Sequence, residues 1–310
     1  MERIRSFFLN LNTTDLTVIV FSVFLSVINI IFIGRIEYWY LNLTMNIIVI
    51  TTAFYLSFKS KKGGIWKQVH YWYLIPLIFI FFKELYFMVD PIRGIIYDDV
   101  LIKIDRFIFG ADPTVELYKI ANPMLTELLQ IVYGTFFFLP VILAADMILQ
   151  GKWKELDYGA FIIVYGFTLS YIGYLLVPAI GPRFTLHVFE TNNIEMPGLF
   201  LTDFLREVVN TGESIPSGTI NPAEIVQRDV FPSGHTQMTL LVMILSVKFG
   251  SRLRYFFLIN GTLLIFATVY LRYHYVVDLI AGALFMFFTL WSGRNIHRWW
   301  NQVSNPASTF

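Results

Sequence analysis

Eight stretches of this 310-residue chain are apolar for long enough to approach the span of a bilayer, and that repetition limits the fold more than any other feature. A spanning helix needs about 20 apolar residues, with roughly 17–25 in use. The stretches lie near Leu16–Ile33, Leu41–Phe58, Tyr71–Val89, Leu125–Leu149, Tyr158–Pro178, Thr236–Phe249, Tyr255–Leu271 and Tyr275–Trp291. The sixth is short. It reaches spanning length only by starting at Pro232-Ser233-Gly234, which sets that turn at the membrane edge. The expected fold is therefore all-α, a polytopic membrane bundle of about eight helices. We divide it into an N-terminal helical region with an interfacial segment, 1–123, and a core carrying the chemistry, 124–310.

Charge supports the membrane reading. Only 15% of residues are charged against 56% hydrophobic, whereas soluble domains carry about a quarter charged residues. A net charge of +1 gives no basic field for nucleic acid. The absence of cysteine removes disulfides, thiolate nucleophiles and Cys-ligated zinc. Arg3 and Arg5 precede the first apolar run, and no small-residue cleavage site follows it, so that run reads as a retained helix. Sorting the loops by side puts these arginines with Lys59, Lys61, Lys62, Lys67, Lys152, Lys154, Lys248, Arg252, Arg254, Arg294 and Arg298. The positive-inside rule makes that side, with both termini, cytoplasmic. The other face then gathers Arg183, Ser233, His235, Arg272 and His274 outside the cytoplasm.

Two extracytoplasmic segments are long. Asp90 to Pro123 alternates apolar and charged residues and reads as amphipathic helix lying in the interface. Ile180 to Val230 is polar and carries the turn signals Pro197-Gly198, Pro216-Ser217-Gly218 and Asn221-Pro222. A loop of that length is commonly a lid or a binding element.

The chemistry concentrates in two clusters. In Phe231-Pro232-Ser233-Gly234-His235-Thr236, Ser233 is a candidate N-cap, and the free N–H groups of the helix it opens suit phosphate. In the second cluster, His274 and Asp278 are four apart on one helical face. A carboxylate on one ring nitrogen leaves the other as a base or nucleophile. Arg183 and Arg272 are candidate phosphate clamps; both also suit interfacial anchoring. Lys83-Glu84 interrupts the third span, either as a headgroup pocket or as a snorkelling pair. His70, His187 and His297 have no partner at useful spacing and read as interface or surface residues.

Phe231–Thr236 with His274-Tyr-Val-Val-Asp278 resembles the last two signature motifs of the type 2 phosphatidic acid phosphatase superfamily. The resemblance is best between Arg183 and Asp278. It implies His274 as nucleophile on phosphorus, Asp278 as its orienter and His235 as general acid. Ser233, Gly234 and Arg183 are implied to hold the phosphate. Ala267 and Thr268 stand where the usual third motif has Ser-Arg, and Gly181-Pro182-Arg183 is the nearest substitute for the usual first motif. This pattern is similar to the branch of inositol phosphorylceramide and sphingomyelin synthases, as are Asp105–Gly110 and Leu128–Pro140. The implied activity is phosphoester hydrolysis on a membrane lipid phosphate without a cofactor; the alternative is transfer of a phosphoryl headgroup to a lipid or polyol hydroxyl. Two further readings stay open: a two-His-one-carboxylate metal site at His235, His274 and Asp278, and a membrane transporter.

Overall fold

The computed structural model describes residue 9 and residues 11–304; Arg3 and Arg5, used above for orientation, lie outside the described residues. Every regular element among the described residues is helical. In chain order the principal helices are α1 (Thr13–Ile31), α2 (Trp39–Ser60), α3 (Gly64–Trp72), α4 (Leu74–Arg93), α5 (Asp98–Phe109) and α6 (Pro123–Gly134). They continue as α7 (Phe138–Leu149), α8 (Trp153–Leu176), α9 (Thr202–Gly212), α10 (Gly234–Lys248), α11 (Arg254–Tyr270) and α12 (Val276–Ser304).

Each of the eight apolar stretches falls on helix, but not always on one helix of spanning length. Among the described residues five helical segments are long and apolar enough to cross a membrane: α1, α2, α3 with α4, α8 and α12. The fourth stretch is broken into α6 and α7, bent by 55°. The break falls just ahead of Pro140, which has no N–H to donate back and sits in the first turn of α7; beside it the Thr135 hydroxyl donates to the Val132 carbonyl at 2.6 Å and accepts from Asn260 Nδ2 at 2.8 Å. The stretches at α10 and α11 form helices of 15 and 17 residues.

By contacts the chain divides into two units. The first takes the described residues of Met1–Gly94, Lys152–Tyr171 and Phe287–Phe310; the second is Ile95–Gly151 with Ile172–Met286. In the first unit α1 starts on a reciprocal cap, Asn12 Oδ1 accepting from the Asp15 N–H and Asp15 Oδ2 from the Asn12 N–H. Val18, Phe21 and Leu25 of α1 and Leu77, Phe81, Leu85 and Met88 of α4 are buried, with the Phe21 and Phe81 rings packed edge to face at 5.0 Å. Glu84 is buried here, accepting from Asn46 Nδ2 at 2.7 Å and Asn29 Nδ2 at 3.0 Å, while Asn42 donates to Asn29. Lys83 points elsewhere, over the Phe82 and Tyr86 rings. The Lys83-Glu84 pair thus separates into a buried amide–carboxylate cluster and an ammonium on aromatic faces. His70 is a correction to the sequence reading: it is buried, with Nε2 2.7 Å from Asp15 Oδ1. Its partner is 55 positions away, and no local spacing could reveal it.

The second unit is built around the segment expected to lie in the interface. The buried face of α5 carries Asp98, Leu101, Ile102 and Asp105. Leu101 and Ile102 pack with Ala179, Val230 and Tyr275. A neighbouring cluster joins Leu129 and Tyr133 of α6 to Met196, Ala267, Tyr270, Leu271 and Tyr273. Glu127 of α6 supplies the cap that the sequence of α9 lacks, accepting the N–H groups of Leu199, Phe200, Leu201 and Thr202 and the Thr202 hydroxyl.

Candidate active site

The second histidine cluster owes its position to how α11 ends and α12 begins. The N–H groups of Tyr273 and His274 both donate to the Thr268 carbonyl, at 2.9 and 3.0 Å, closing α11. Arg272 provides the turn with a φ of +69°, a left-handed conformation that costs a non-glycine residue about 1 kcal/mol or more. At the start of α12 the orphan donors are met by carboxylates. Asp105 accepts from Val276 and Val277, each at 2.8 Å, and Asp278 Oδ2 accepts from Tyr275 at 2.8 Å. His274, immediately before, is held from both sides.

The Pro-Ser-Gly turn is fixed equally closely. Ser233 is the N-cap of α10, its hydroxyl accepting from the Thr236 N–H at 3.2 Å, as expected. Its own N–H donates to the Asp278 carbonyl at 3.1 Å, which ties the two clusters through backbone. Gly282 of α12 permits this approach: a Cβ there would lie 2.6 Å from the Ser233 carbonyl oxygen. Gly234 and His235 open α10, so their N–H groups belong to the unpaired first turn.

The two imidazoles meet. His274 Nε2 lies 3.3 Å from His235 Nδ1, and His274 Nδ1 lies 3.4 Å from Asp278 Oδ2. The carboxylate and the second histidine therefore address opposite edges of one ring, an arrangement that does not converge three donors on a point. Among the described residues no group of three or more His, Asp or Glu side chains is placed to hold a metal ion. His235 is packed between the rings of Tyr133 and Phe136, at centroid distances of 4.8 and 4.2 Å. Burial pushes the His274 imidazole well below its usual pKa, with further lowering by His235 and Arg183. Its neutral, lone-pair form is thus the resting form near neutral pH.

Arg183 belongs to this site. Asp98 accepts the N–H groups of Ile180 and Gly181 and the Tyr275 hydroxyl, which fixes the turn ahead of Arg183. Gly181 has a φ of +94°, and a Cβ there would come within 2.9 Å of the Tyr273 carbonyl oxygen, so the turn requires glycine. The Arg183 N–H donates to the Arg272 carbonyl at 3.1 Å. Its buried guanidinium donates to Asn210 Oδ1 at 2.9 Å, ion-pairs with Glu213 and lies 5.0 Å from the centroid of the Tyr273 ring. Arg183, Glu213 and Asp229 line one cavity with His235 and His274. That cavity is about 10 Å³, close to the room one water needs. Arg183 and Tyr273 also wall a second chamber of about 190 Å³, lined by amides, hydroxyls, Arg206 and the carboxylates Glu190 and Glu207 of the 180–230 segment.

Arg272 takes a different place. Its guanidinium donates to Glu195 at 2.5 Å and to Asn192 at 3.3 Å and lies over the Tyr118 ring. It is not among the residues lining the histidine cavity. Sequence reasoning missed Asp98, Asp105, Glu213 and Asp229. The first two carried a signal, being seven apart on a helix and hence on one face. The last two lie in the long polar segment, whose course is set by tertiary contacts.

No curated protein and no solved structure matches the chain in searches for relatives. A family model does: the PAP2 superfamily model covers residues 100–292, which include both histidine clusters, Arg183 and Asp105. On that match over more than half of its length, the chain belongs to the PAP2 superfamily.

Proposed function

We propose that the chain is a membrane phosphoryl-transfer enzyme acting on a lipid phosphate ester. Membership of the superfamily suggests a phosphatase or phosphotransferase. The observation that carries the finer reading is the single imidazole flanked by a carboxylate on one edge and a second imidazole on the other, beside a buried arginine. The mechanism requires His274 Nδ1–H, 3.4 Å from Asp278 Oδ2 and without a hydrogen-bond partner among the described residues, to close on that carboxylate, and Nε2 to exchange its 3.3 Å contact with His235 for an attack on phosphorus. The N–P bond forms as the P–O bond to the lipid alkoxide breaks, and His235, which the negative charge of the bound phosphate favours in its imidazolium form, delivers the proton that alkoxide needs and is left neutral. An acceptor hydroxyl then gives its proton to His235 and attacks the phosphohistidine, restoring neutral His274. Arg183 and the first-turn N–H groups of α10 offset the charge on the phosphoryl oxygens. Water as acceptor makes a phosphatase.

A second reading rests on the 190 Å³ polar chamber that shares Arg183 and Tyr273 with the histidine cavity. An acceptor with several hydroxyls held there makes the same site a transferase. In either case the proposed site faces the extracytoplasmic side, as the distribution of basic residues implies.

The test is to offer purified protein a panel of labelled lipid phosphates and phospholipids, with and without polyol and lipid alcohols. Free phosphate and new lipid products are followed together. Release of phosphate, lost by at least about a thousandfold in His274→Ala, is the expected outcome. A new phospholipid without free phosphate selects transfer. Full activity in His274→Ala would remove the mechanism.

A further inference from the structure

The first unit holds a cavity of its own, about 190 Å³, enclosed by the first turn of α1, the last turn of α2, α3 and the first turns of α8. Its walls include Asp15, Ser57, Ser60, Lys67, His70 and Asp157. Nothing in the proposed phosphoryl transfer uses it.

Part of this lining is occupied by its own hydrogen bonds. Asp15 is fully buried and committed: Oδ1 to His70 at 2.7 Å and Tyr73 at 3.5 Å, Oδ2 to the Asn12 N–H at 3.3 Å. Two other groups are not. Both hydrogen bonds of Asp157, from Asn12 Nδ2 at 3.1 Å and the Tyr71 hydroxyl at 3.5 Å, go to Oδ1, so Oδ2 receives none from a described residue. The Lys67 ammonium rests 3.7 Å above the centroid of the Trp153 ring and has no carboxylate within 4.0 Å among the described residues. A cation and a carboxylate oxygen thus line one cavity without pairing with each other. A ligand bearing both signs pairs with each of them through charge-assisted hydrogen bonds.

We propose that this cavity binds the phosphoethanolamine headgroup of a membrane lipid, with phosphate on Lys67 and the primary ammonium on Asp157. A purely anionic group meets Asp15 and Asp157, and a purely cationic one meets Lys61 and Lys67. A primary ammonium fits better than a quaternary one because Oδ2 needs an N–H donor, which a quaternary group lacks. The aromatic face that suits a quaternary ammonium is already covered by Lys67. The cavity sits at the ends of apolar helices beside Trp153 and Tyr71, residue types that mark the headgroup level.

The full-length protein, purified in detergent and stripped of lipid, is titrated with phosphatidylethanolamine, phosphatidylcholine and phosphatidylglycerol while its unfolding midpoint is followed. Phosphatidylethanolamine should raise the midpoint saturably and more than the other two. Asp157→Asn and Lys67→Met should each weaken that effect about tenfold in lipid concentration, leaving the midpoint in phosphatidylcholine unchanged. Water-soluble glycerophosphoethanolamine should compete if the headgroup alone is recognised; failure to compete assigns the site to the intact lipid. An equal response to all three lipids, or a larger one to phosphatidylglycerol, overturns the proposal. Should either variant not fold, a photoreactive phosphatidylethanolamine on the unaltered protein decides: adducts within 57–71 and 153–157 support the site, and adducts confined elsewhere overturn it. His274→Ala should behave as the unaltered protein, which separates this site from the phosphoryl-transfer reading.

Discussion

Glu213 sets the balance of charge at the histidines. It is ion-paired with Arg183, and with Asp229 it brings two carboxylates to a cavity whose cation is a single arginine. In the proposed mechanism an arriving phosphate therefore competes with Glu213 for the guanidinium. Replacing Glu213 by Gln keeps the shape and removes the competitor. We expect inorganic phosphate to inhibit Glu213→Gln roughly tenfold more tightly, the equivalent of about 1.4 kcal/mol, with kcat changed only a few-fold. Inhibition unchanged from the parent enzyme would show that Glu213 is no competitor. Arg272 shows the opposite arrangement at the same scale: equally buried and basic, it is turned onto Glu195, Asn192 and Tyr118 and positions backbone around the site.

Among the elements, α5 has the largest effect for its size. Asp98 and Asp105, two turns apart on its buried face, hold respectively the Ile180-Gly181 turn ahead of Arg183 and the first N–H groups of α12 behind His274. Asp105→Ala leaves two buried N–H groups without an acceptor, at about 1–3 kcal/mol each, and loosens the start of α12. Thermal unfolding and kcat measured together should both fall, whereas Asp105→Asn, which keeps one acceptor oxygen, should recover part of each. A loss of stability with kcat intact would mean that α5 does not position His274. Here the reach of the sequence is plain. That Ser233 caps a helix opening at Gly234-His235 and that His274 and Asp278 lie together was legible because helix starts and four-residue spacing are local signals. The capping roles of Asp98 and Asp105 were not legible because the N–H groups they accept lie 82 and 171 positions along the chain. The bend between α6 and α7 did carry a local signal, Pro140, which a count of apolar stretches passes over.

At the scale of the whole molecule, the family match covers residues 100–292, while the first unit contributes a separate polar cavity. Proton linkage ties the site to overall stability. Burial keeps His274 well below 6.5 and takes His187 down to about 4, with Arg272 adding to the latter. The unfolded chain protonates both near 6.5, so below that pH it binds more protons than the folded protein. The contribution of these two histidines to stability is then full above pH 6.5 and declines as pH falls from 6.5 toward 4. His274→Gln should flatten that decline in a plot of unfolding midpoint against pH; an unaltered slope would contradict the linkage. Because neutral His274 persists below 6.5, the acid limb of the rate should also lie below it. The central claim is that His274 carries the phosphoryl group. The most direct measurement mixes enzyme with a lipid phosphate radiolabelled in its phosphoryl group, quenches in alkali and maps the label by peptide. Label on His274, accumulating in His235→Ala and absent in His274→Ala, is the predicted result. Turnover with no labelled enzyme, or label that persists in His274→Ala, would contradict it.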